Sequence, residues 1–536
     1  MKILGIGGSN HDISFCYLHN GSIERATEEE RISREKHGGG LKSLCFRGMD
    51  YCLGNTSPKE LDLIVANDIL TESTRENYCG LNMIKINHHL AHAASSYYTS
   101  GMNEAAILVL DGSGSTFFGL GETCSLGYAS ENEILFNKKF HSTSLGNFYS
   151  FMSYLNRFSF LQEGKTMGLA PYGKDTYVDF LSNYIEVEMP KKIKVNNIST
   201  QDVDIMDVDL FRQDKRDLFE VRADIAYATQ AVFEKNVIKI LTYLYETTNC
   251  KNLCFAGGAA LNSVLNGKIK KHTGFENVFV FPGAGDSGTA IGAALYGYHQ
   301  IYKKPLKYET IKHVFFGKPY SNDDALESLK AHSALTYREY EFDDVYRIVA
   351  EELTDGKTVG WFQDGAEFGP RALGNRGILA DPHYCDMKDH INREIKFRED
   401  FRPFAPVVIK EKAPEYFLCD YKDNSFMLFV EQVQPRYRKQ LPAITHVDGS
   451  AHLQTVSKEN NLKLYSLLLE VEKKNGIPIL LNTSSNTIGE PIVETPKNAV
   501  DTFLRCGLDI LVINNIIVRK RSDKAVLHKP DSQTRN

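Results

Sequence analysis

The stretch LysIleLeuGlyIleGlyGlySerAsnHisAspIleSerPheCysTyrLeuHisAsnGly (residues 2–21) alternates an apolar run, a polar turn and a second apolar run, and closes on Asn-Gly. Short apolar runs bounded by Gly, Ser and Asn read as strands, and Asn20-Gly21 supplies the positive φ that a two-residue hairpin turn requires. The spacing predicts strand, polar turn, strand and hairpin. His11 falls in the polar turn, beside backbone amides free to face an anion. It reads either as a turn histidine bonded to its own backbone or as a general base.

Such an opening belongs to phosphate-binding ATPase cores of the actin and sugar-kinase class. Further on, IleAsnHisHisLeuAlaHisAlaAlaSerSerTyrTyr (86–98) puts His88 and His92 four apart, on one face of a helix, where both imidazoles can reach one ion. The pair alone fits capping or core histidines as well, so carboxylates elsewhere decide. The apolar run AlaAlaIleLeuValLeu (105–110) delivers Asp111 into a Gly/Ser turn, and ValPheValPhe (278–281) leads to Asp286 at a strand-to-helix turn. Two histidines with two aspartates make a candidate divalent-metal site. In AsnLeuCysPheAlaGlyGlyAlaAlaLeuAsn (252–262), Gly257 and Gly258 admit a ligand to the backbone, and the helix N-terminus beyond them favours phosphate. Helical spacing predicts a long amphipathic helix over 222–247. The Gly/Pro-rich run 163–173 reads as a pocket-lining loop, and the charge-dense run 28–37 as a solvated face.

Around residues 300–320 the sequence turns polar and proline-bearing, which places a domain boundary there. Beyond it, GlyProArgAlaLeuGlyAsnArg (369–376) and LysPheArgGluAspPheArgProPhe (396–404) present Arg371, Arg376, Lys396, Arg398 and Arg402 beside glycine, proline and apolar residues. These read as a pocket for phosphate or carboxylate oxygens, the alternative being separate structural ion pairs. LeuLeuAsnThrSerSerAsn (480–486) ends a strand in side chains suited to a polar ligand. No internal repeat is evident, and strands alternating with helices imply α/β architecture.

The chain's 536 residues exceed one ordinary core, so at least two domains are expected. A net charge of −6 gives no support for nucleic-acid binding. Strand character begins directly after Met1-Lys2 and no apolar run approaches membrane-spanning length, so neither leader nor membrane anchor is expected and the location reads as cytoplasmic. Ten cysteines without a CxxC pair read as reduced, mostly buried thiols.

Together HisAspIleSer, GluGluGluArg and LysHis, HisHisLeuAlaHis, GluGlyLysThrMetGlyLeuAlaProTyrGly, AlaGlyGlyAlaAlaLeuAsn, GlyProArgAlaLeuGlyAsnArg, LysPheArgGluAspPheArgProPhe and LeuAsnThrSer resemble, in order from about residue 3 to 515, the NodU/CmcH-type O-carbamoyltransferases. The resemblance implies an N-terminal actin-like ATPase (ASKHA) fold, similar to the tRNA threonylcarbamoyltransferase, over residues 1–312, and a C-terminal YrdC-like α/β domain over 313–536. It implies an ATP-dependent reaction in which carbamoyl phosphate and ATP give carbamoyl adenylate in the second domain, and a hydroxyl of a small-molecule acceptor takes the carbamoyl group in the first. Iron(II) or another divalent metal on His88, His92, Asp111 and Asp286, with Mg2+ on ATP, would complete the chemistry. By the same resemblance His11 assists transfer, while Lys396, Arg398 and Arg402 match the YrdC-type KxRxxx(K/R)P element. Lys36, Lys165, Gly257, Gly258, Asn262, Arg371, Arg376, Asn482 and Ser484 fall at substrate- or nucleotide-binding positions. His452 departs from the family pattern, which has arginine there; either carbamoyl phosphate is held more weakly or a protonated His452 replaces the arginine. A tRNA threonylcarbamoylation enzyme and a non-catalytic nucleotide sensor are the alternatives, no nucleic-acid or membrane partner is expected, and the oligomeric state, homo-oligomer included, stays open.

Overall fold

Asn20 and Gly21 both take positive φ, 51° and 87°, and the hairpin they close joins Ser14–His19 (β2) to Ser22–Glu28 (β3). The computed structural model describes residues 1–38, 47–70, 83–141, 143–196, 217–421 and 423–521. With Lys2–Gly7 (β1), Leu63–Asn67 (β4) and Met83–Ile86 (β5), the hairpin forms a sheet of order β3-β2-β1-β4-β5. Neighbours β1, β2 and β3 are antiparallel, whereas β4 and β5 run parallel to β1.

The same plan recurs around Glu104–Leu110 (β6). Leu120–Ser130 and Glu133–His141 follow antiparallel on one side, and Asn252–Ala256 and Asn277–Val280 lie parallel on the other. Two sheets with one strand order and one set of directions are the duplicated core of an actin-like fold. What repeats is order and direction, which any apolar run satisfies, so residue identities carry no trace of it.

Two helices lock the halves together. His88–Ser100 and Thr289–Tyr296 are buried along nearly their whole lengths, and they touch backbone to backbone: a Cβ on Gly292 would lie 1.8 Å from the Ala91 carbonyl oxygen. The runs AlaHisAlaAlaSerSer and ThrAlaIleGlyAlaAla are thus small because the helices meet with no room for side chains. The long helix spans Leu218–Thr248, capped by the Asp217 side chain and ended by Asn249 in the left-handed conformation. It packs under the second sheet, in a core with Leu108, Leu110, Phe148, Leu253 and Phe255.

The C-terminal part is an eight-stranded mixed sheet. Its order runs Leu335–Glu339, Ile516–Lys520, Ile510–Ile513, Val359–Phe362, Arg376–Ala380, Ile479–Ser484, Ala405–Ile409 and Gln454–Val456. Apolar side chains cover both faces, as a mixed α/β sheet requires. Phe429 and Leu428 enter the core beneath the second sheet, and Phe316 and Phe368 that of the first, so the two parts share apolar surface.

Two expectations fail here. The 163–173 run is not a loop but a helix over Glu163–Leu169 and a 3-10 turn over Ala170–Tyr172, although Glu163, Gly164 and Met167 do line the cavity. The charge-dense run is a solvated face only in its second half: Glu28, Glu29 and Arg31 are 6%, 1% and 2% exposed, whereas Glu35 and Lys36 are exposed. The described cysteines are free thiols, six of them buried, with Cys419 half-buried and Cys385 exposed. Cys45, Cys79, residues 197–216 and the residues beyond 521 lie outside the described residues. Among the described residues no helix is long and apolar enough to cross a membrane.

Candidate active site

The ends of three elements meet at one point. The His88–Ser100 helix starts immediately after Asn87, whose side chain accepts from the Leu90 N–H and caps it, so His88 and His92 stand one turn apart and face the end of β6. Asp111 is the residue just past β6, and Asp286 begins the turn before the Thr289–Tyr296 helix. The Nε2 atoms of His88 and His92 are 3.0 Å apart. Asp111 Oδ2 lies 3.4 Å and 4.0 Å from them, and Asp286 Oδ1 3.6 Å from each.

Two donors at about 2.1 Å and a right angle around one ion stand about 3.0 Å apart, so two imidazole nitrogens facing each other with two carboxylates alongside suit a divalent cation. Burial opposes a charge on His88, yet Asp111 and Asp286 together push its pKa up to about 10. The same burial opposes ionisation of Asp286, and the two histidines overcome it, holding its carboxyl well below the usual range. Surrounding groups fix the ligands: Gly258 N–H donates to Asp111 Oδ1 at 2.9 Å, and Ser115 Oγ and Asp68 Oδ1 accept from the His88 N–H at 2.9 and 3.2 Å. Gly258, expected to meet a phosphate, thus also orients a carboxylate, with Gly257 at φ 90° making the turn. His89 turns away, its Nδ1 2.7 Å from Ser125 Oγ and 3.3 Å from Glu122 Oε1.

His11 Nε2 lies 3.9 Å from Asp286 Oδ2, and its Nδ1 is held by Asp12 Oδ2 at 3.0 Å rather than by its own backbone. Burial lowers the pKa of His11, but Asp12 and Asp286 outweigh it and raise the value to about 8. Asp12 is shared with His37 Nδ1 at 2.9 Å. All of this opens onto a cavity of 1130 Å³ lined by His11, Asp111, Asp286, Asn262, Phe160 and Arg371 among others. Asn262 exchanges hydrogen bonds with Gln230 and caps the next helix at its N-terminus.

The basic residues separate into two kinds. Arg376 is fully buried and spends its guanidinium on the carbonyls of Gln363, Asn375, Asp364 and Glu494, while stacking on Phe362 at 3.6 Å. Asn482 is 1% exposed and bonds Ala372 and Gln454. Neither is among the residues that line the cavity, so the nucleotide-binding expectation for both finds no support in its wall. Lys396 donates to Ser484 O and Oγ and to Asn486 O and Oδ1 at 2.6–3.2 Å. Arg398 bonds Asn392 at 2.7 Å and Pro403 at 3.3 Å, and Lys165 pairs with Glu399 across the two parts at 2.7 Å.

Among the described residues, the side chains of Lys36, Arg371 and Arg402 have no hydrogen-bond or ion-pair partner. Burial lowers the pKa of all three; the charge of Arg402 adds to it at Lys36 and Arg371, while Glu30 opposes it at Lys36 and Glu399 at Arg402 itself. Lys396 is pushed well below its usual value by burial, then by Arg398, Arg402 and Lys36. Such a group of partly buried, mutually repelling cations is relieved by an anion. His452 sits beside it, 8% exposed, with Nδ1 3.2 Å from Ser263 Oγ. Burial, then the charge of Arg371, holds its pKa well below 6.5, which works against the reading in which a protonated His452 replaces an arginine.

Sequence reasoning missed Asp12, Asp68 and Lys36's place beside the second part's cations. Asp68 was findable: it follows the apolar strand LeuIleValAlaAsn as Asp111 follows β6. Lys36 was not, because its neighbours lie more than three hundred residues away.

An α/β protein with an imidazole–carboxylate quartet and a cluster of unpaired cations, joined by a cavity, is equipped to activate and transfer a group. A family described as carbamoyltransferase N-terminus matches residues 80–295, and one described as carbamoyltransferase C-terminus matches 350–520. The chain is 35% identical to an uncharacterized protein of Synechocystis sp. over 97% of its own length and 96% of that protein's. It is 34% identical to nodulation protein NolNO of Sinorhizobium fredii (96% and 79% covered) and 37% identical to nodulation protein NolO of Bradyrhizobium diazoefficiens (81% and 79% covered). The protein belongs to the carbamoyltransferase family.

Proposed function

We propose that this carbamoyltransferase works in two ATP-dependent steps. Residues 313–536 convert carbamoyl phosphate, ATP and water to carbamoyl adenylate, pyrophosphate and phosphate. Residues 1–312 then transfer the carbamoyl group to a hydroxyl of a small-molecule acceptor, a sugar or secondary metabolite, releasing AMP. The observation that carries this reading is the cavity, whose wall includes the Asp111–Asp286 pair, His11 and the unpaired Arg371.

In the first step Arg371, Arg402 and Lys36 offer free donors to phosphoryl oxygens, and Lys396 and Arg398 hold the 484–486 loop and Asn392 around them; Mg2+ accompanies ATP. In the second, His88, His92, Asp111 and Asp286 hold iron(II) or another divalent ion, which when bound supplies Lewis acidity toward the carbamoyl oxygen. His11, tied by Asp12 and neutral above its pKa of about 8, would take the acceptor's hydroxyl proton at Nε2. The Gly258 N–H holds the Asp111 carboxylate in the orientation it would need as a ligand.

Purified protein given carbamoyl phosphate, ATP, Mg2+ and a panel of hydroxyl acceptors is expected to release pyrophosphate and AMP and to yield a product heavier by one carbamoyl group in mass spectrometry. Absence of both nucleotide products with every acceptor would sink the reading.

A further inference from the structure

The buried pair at the start of the charge-dense run grips the loop that carries Arg371. Glu28 Oε1 accepts from the Gly369 N–H at 2.6 Å, and Arg31 Nη2 donates to the Gly369 carbonyl at 2.6 Å. Both faces of one glycine in the second part are thus held by two residues of the first, 338 and 341 positions away in sequence. Arg31 and Glu28 also pair with each other, Nε to Oε2 at 3.6 Å. Gly369 has φ 104°, in the left-handed region, and a Cβ there would stand 2.9 Å from the Pro282 carbonyl. Pro282 belongs to the turn that ends in Asp286. Pro370 follows with its φ fixed by the ring, so once the Gly369 peptide is held little freedom remains before Arg371.

We propose that Glu28 and Arg31 are positioning residues for Arg371: they set where its unpaired guanidinium meets a phosphoryl group, and they tie that place to the metal-side turn. The inference rests on the reading above that Arg371 binds a phosphorylated reactant. It explains why two ionisable side chains are buried at the end of β3, where a solvated face was expected. Burying a charge is costly unless it is paired and hydrogen-bonded; here Arg31 faces Glu28 and Glu30 at 3.6 Å each, and the hydrogen bonds that Glu28 and Arg31 make to the second part both go to the Gly369 backbone.

A double-mutant cycle tests it. Glu28→Ala is expected to lower kcat/KM for AMP formation by about 10²-fold, the size of effect that a misplaced reacting group produces. Arg371→Ala should do the same, and Glu28→Ala added to Arg371→Ala should cost less than about 2-fold more, because the clamp then has nothing to position. Glu28→Gln keeps an oxygen for the Gly369 N–H and should recover activity to within about 3-fold of wild type. Independent losses that multiply, or Glu28→Gln as impaired as Glu28→Ala, would overturn the proposal. If Glu28→Ala does not fold, Gly369→Ala displaces the same loop without disturbing a buried charge, and its cycle with Arg371→Ala is read in the same way. The cycle is also run on the Kd of inorganic pyrophosphate, which needs no turnover. Non-additive Kd values in a protein that forms no AMP would leave the clamp standing and reject the two-step reading. An Arg371→Ala variant with unchanged pyrophosphate affinity and unchanged kcat/KM would reject the clamp.

Discussion

The two ends of the cavity are built on opposite plans. At one, four donors from three elements converge with 3.0–4.0 Å between them, and each residue has one direction to point; at the other, cations share a neighbourhood but not a target. A metal-type quartet tolerates no bystander, because each ligand must reach the same point. A basic pocket tolerates many, because a guanidinium that bonds backbone carbonyls and one that awaits a ligand look alike in sequence. Arg376 and Arg402 illustrate the difference, the first with both terminal nitrogens bonded to carbonyls and the second with no side-chain partner among the described residues.

The comparison breaks most visibly at the quartet. His92→Ala or Asp286→Ala is expected to lower acceptor carbamoylation by about 10³-fold or more, the loss of several kcal/mol of Lewis-acid stabilisation at about 1.4 kcal/mol per decade. Product quantified by mass spectrometry checks it, and a drop under tenfold would remove the quartet from the chemistry. Arg402→Ala comes next: adenylate formation, followed as pyrophosphate release, should fall by about 10²-fold, with divalent-metal binding to the quartet unchanged in a calorimetric titration.

Arg376→Ala sharpens the contrast within the basic group. Losing a buried guanidinium that serves four carbonyls should cost about 3 kcal/mol of stability, seen as a lower melting temperature. The folded enzyme should keep its KM for carbamoyl phosphate. A raised KM with an unchanged melting temperature would put Arg376 in the pocket after all.

The smallest expected effect concerns two neutral histidines. Burial lowers the pKa of His446 to about 4 and that of His452 well below 6.5. An unfolded chain binds these protons from about pH 6.5 downward while the folded one does not, so the stability they contribute is present above 6.5 and is lost as pH falls toward 4. His452→Gln should flatten the pH dependence of unfolding free energy in that window by up to about 1.4 kcal/mol per pH unit. Chemical denaturation at pH 7, 6 and 5 measures the slope; an unchanged slope would mean His452 is charged in the fold.

Legibility in the sequence followed the same division. His88, His92, Asp111 and Asp286 were readable one at a time, since a helical i, i+4 pair and acids at the ends of apolar strands are local patterns. The hairpin at Asn20-Gly21 and the long helix were local too. What was not readable depended on distant partners. Glu28 and Arg31 belong by composition to a solvated run, and only the return of Gly369 to the end of β3 buries them. The doubled sheet topology was hidden because strand order leaves no residue signature. The basic run 369–376 showed its residue types but not that the fold turns Arg371 toward the cavity and Arg376 into the sheet.

The central claim is that activation and transfer occur at separate sites, and ATP–pyrophosphate exchange by a His88→Ala enzyme supplied with carbamoyl phosphate and Mg2+ tests it most directly. Exchange within about twofold of wild type, with no carbamoylated acceptor formed, is the predicted result. Exchange lost together with transfer in a folded variant would contradict it.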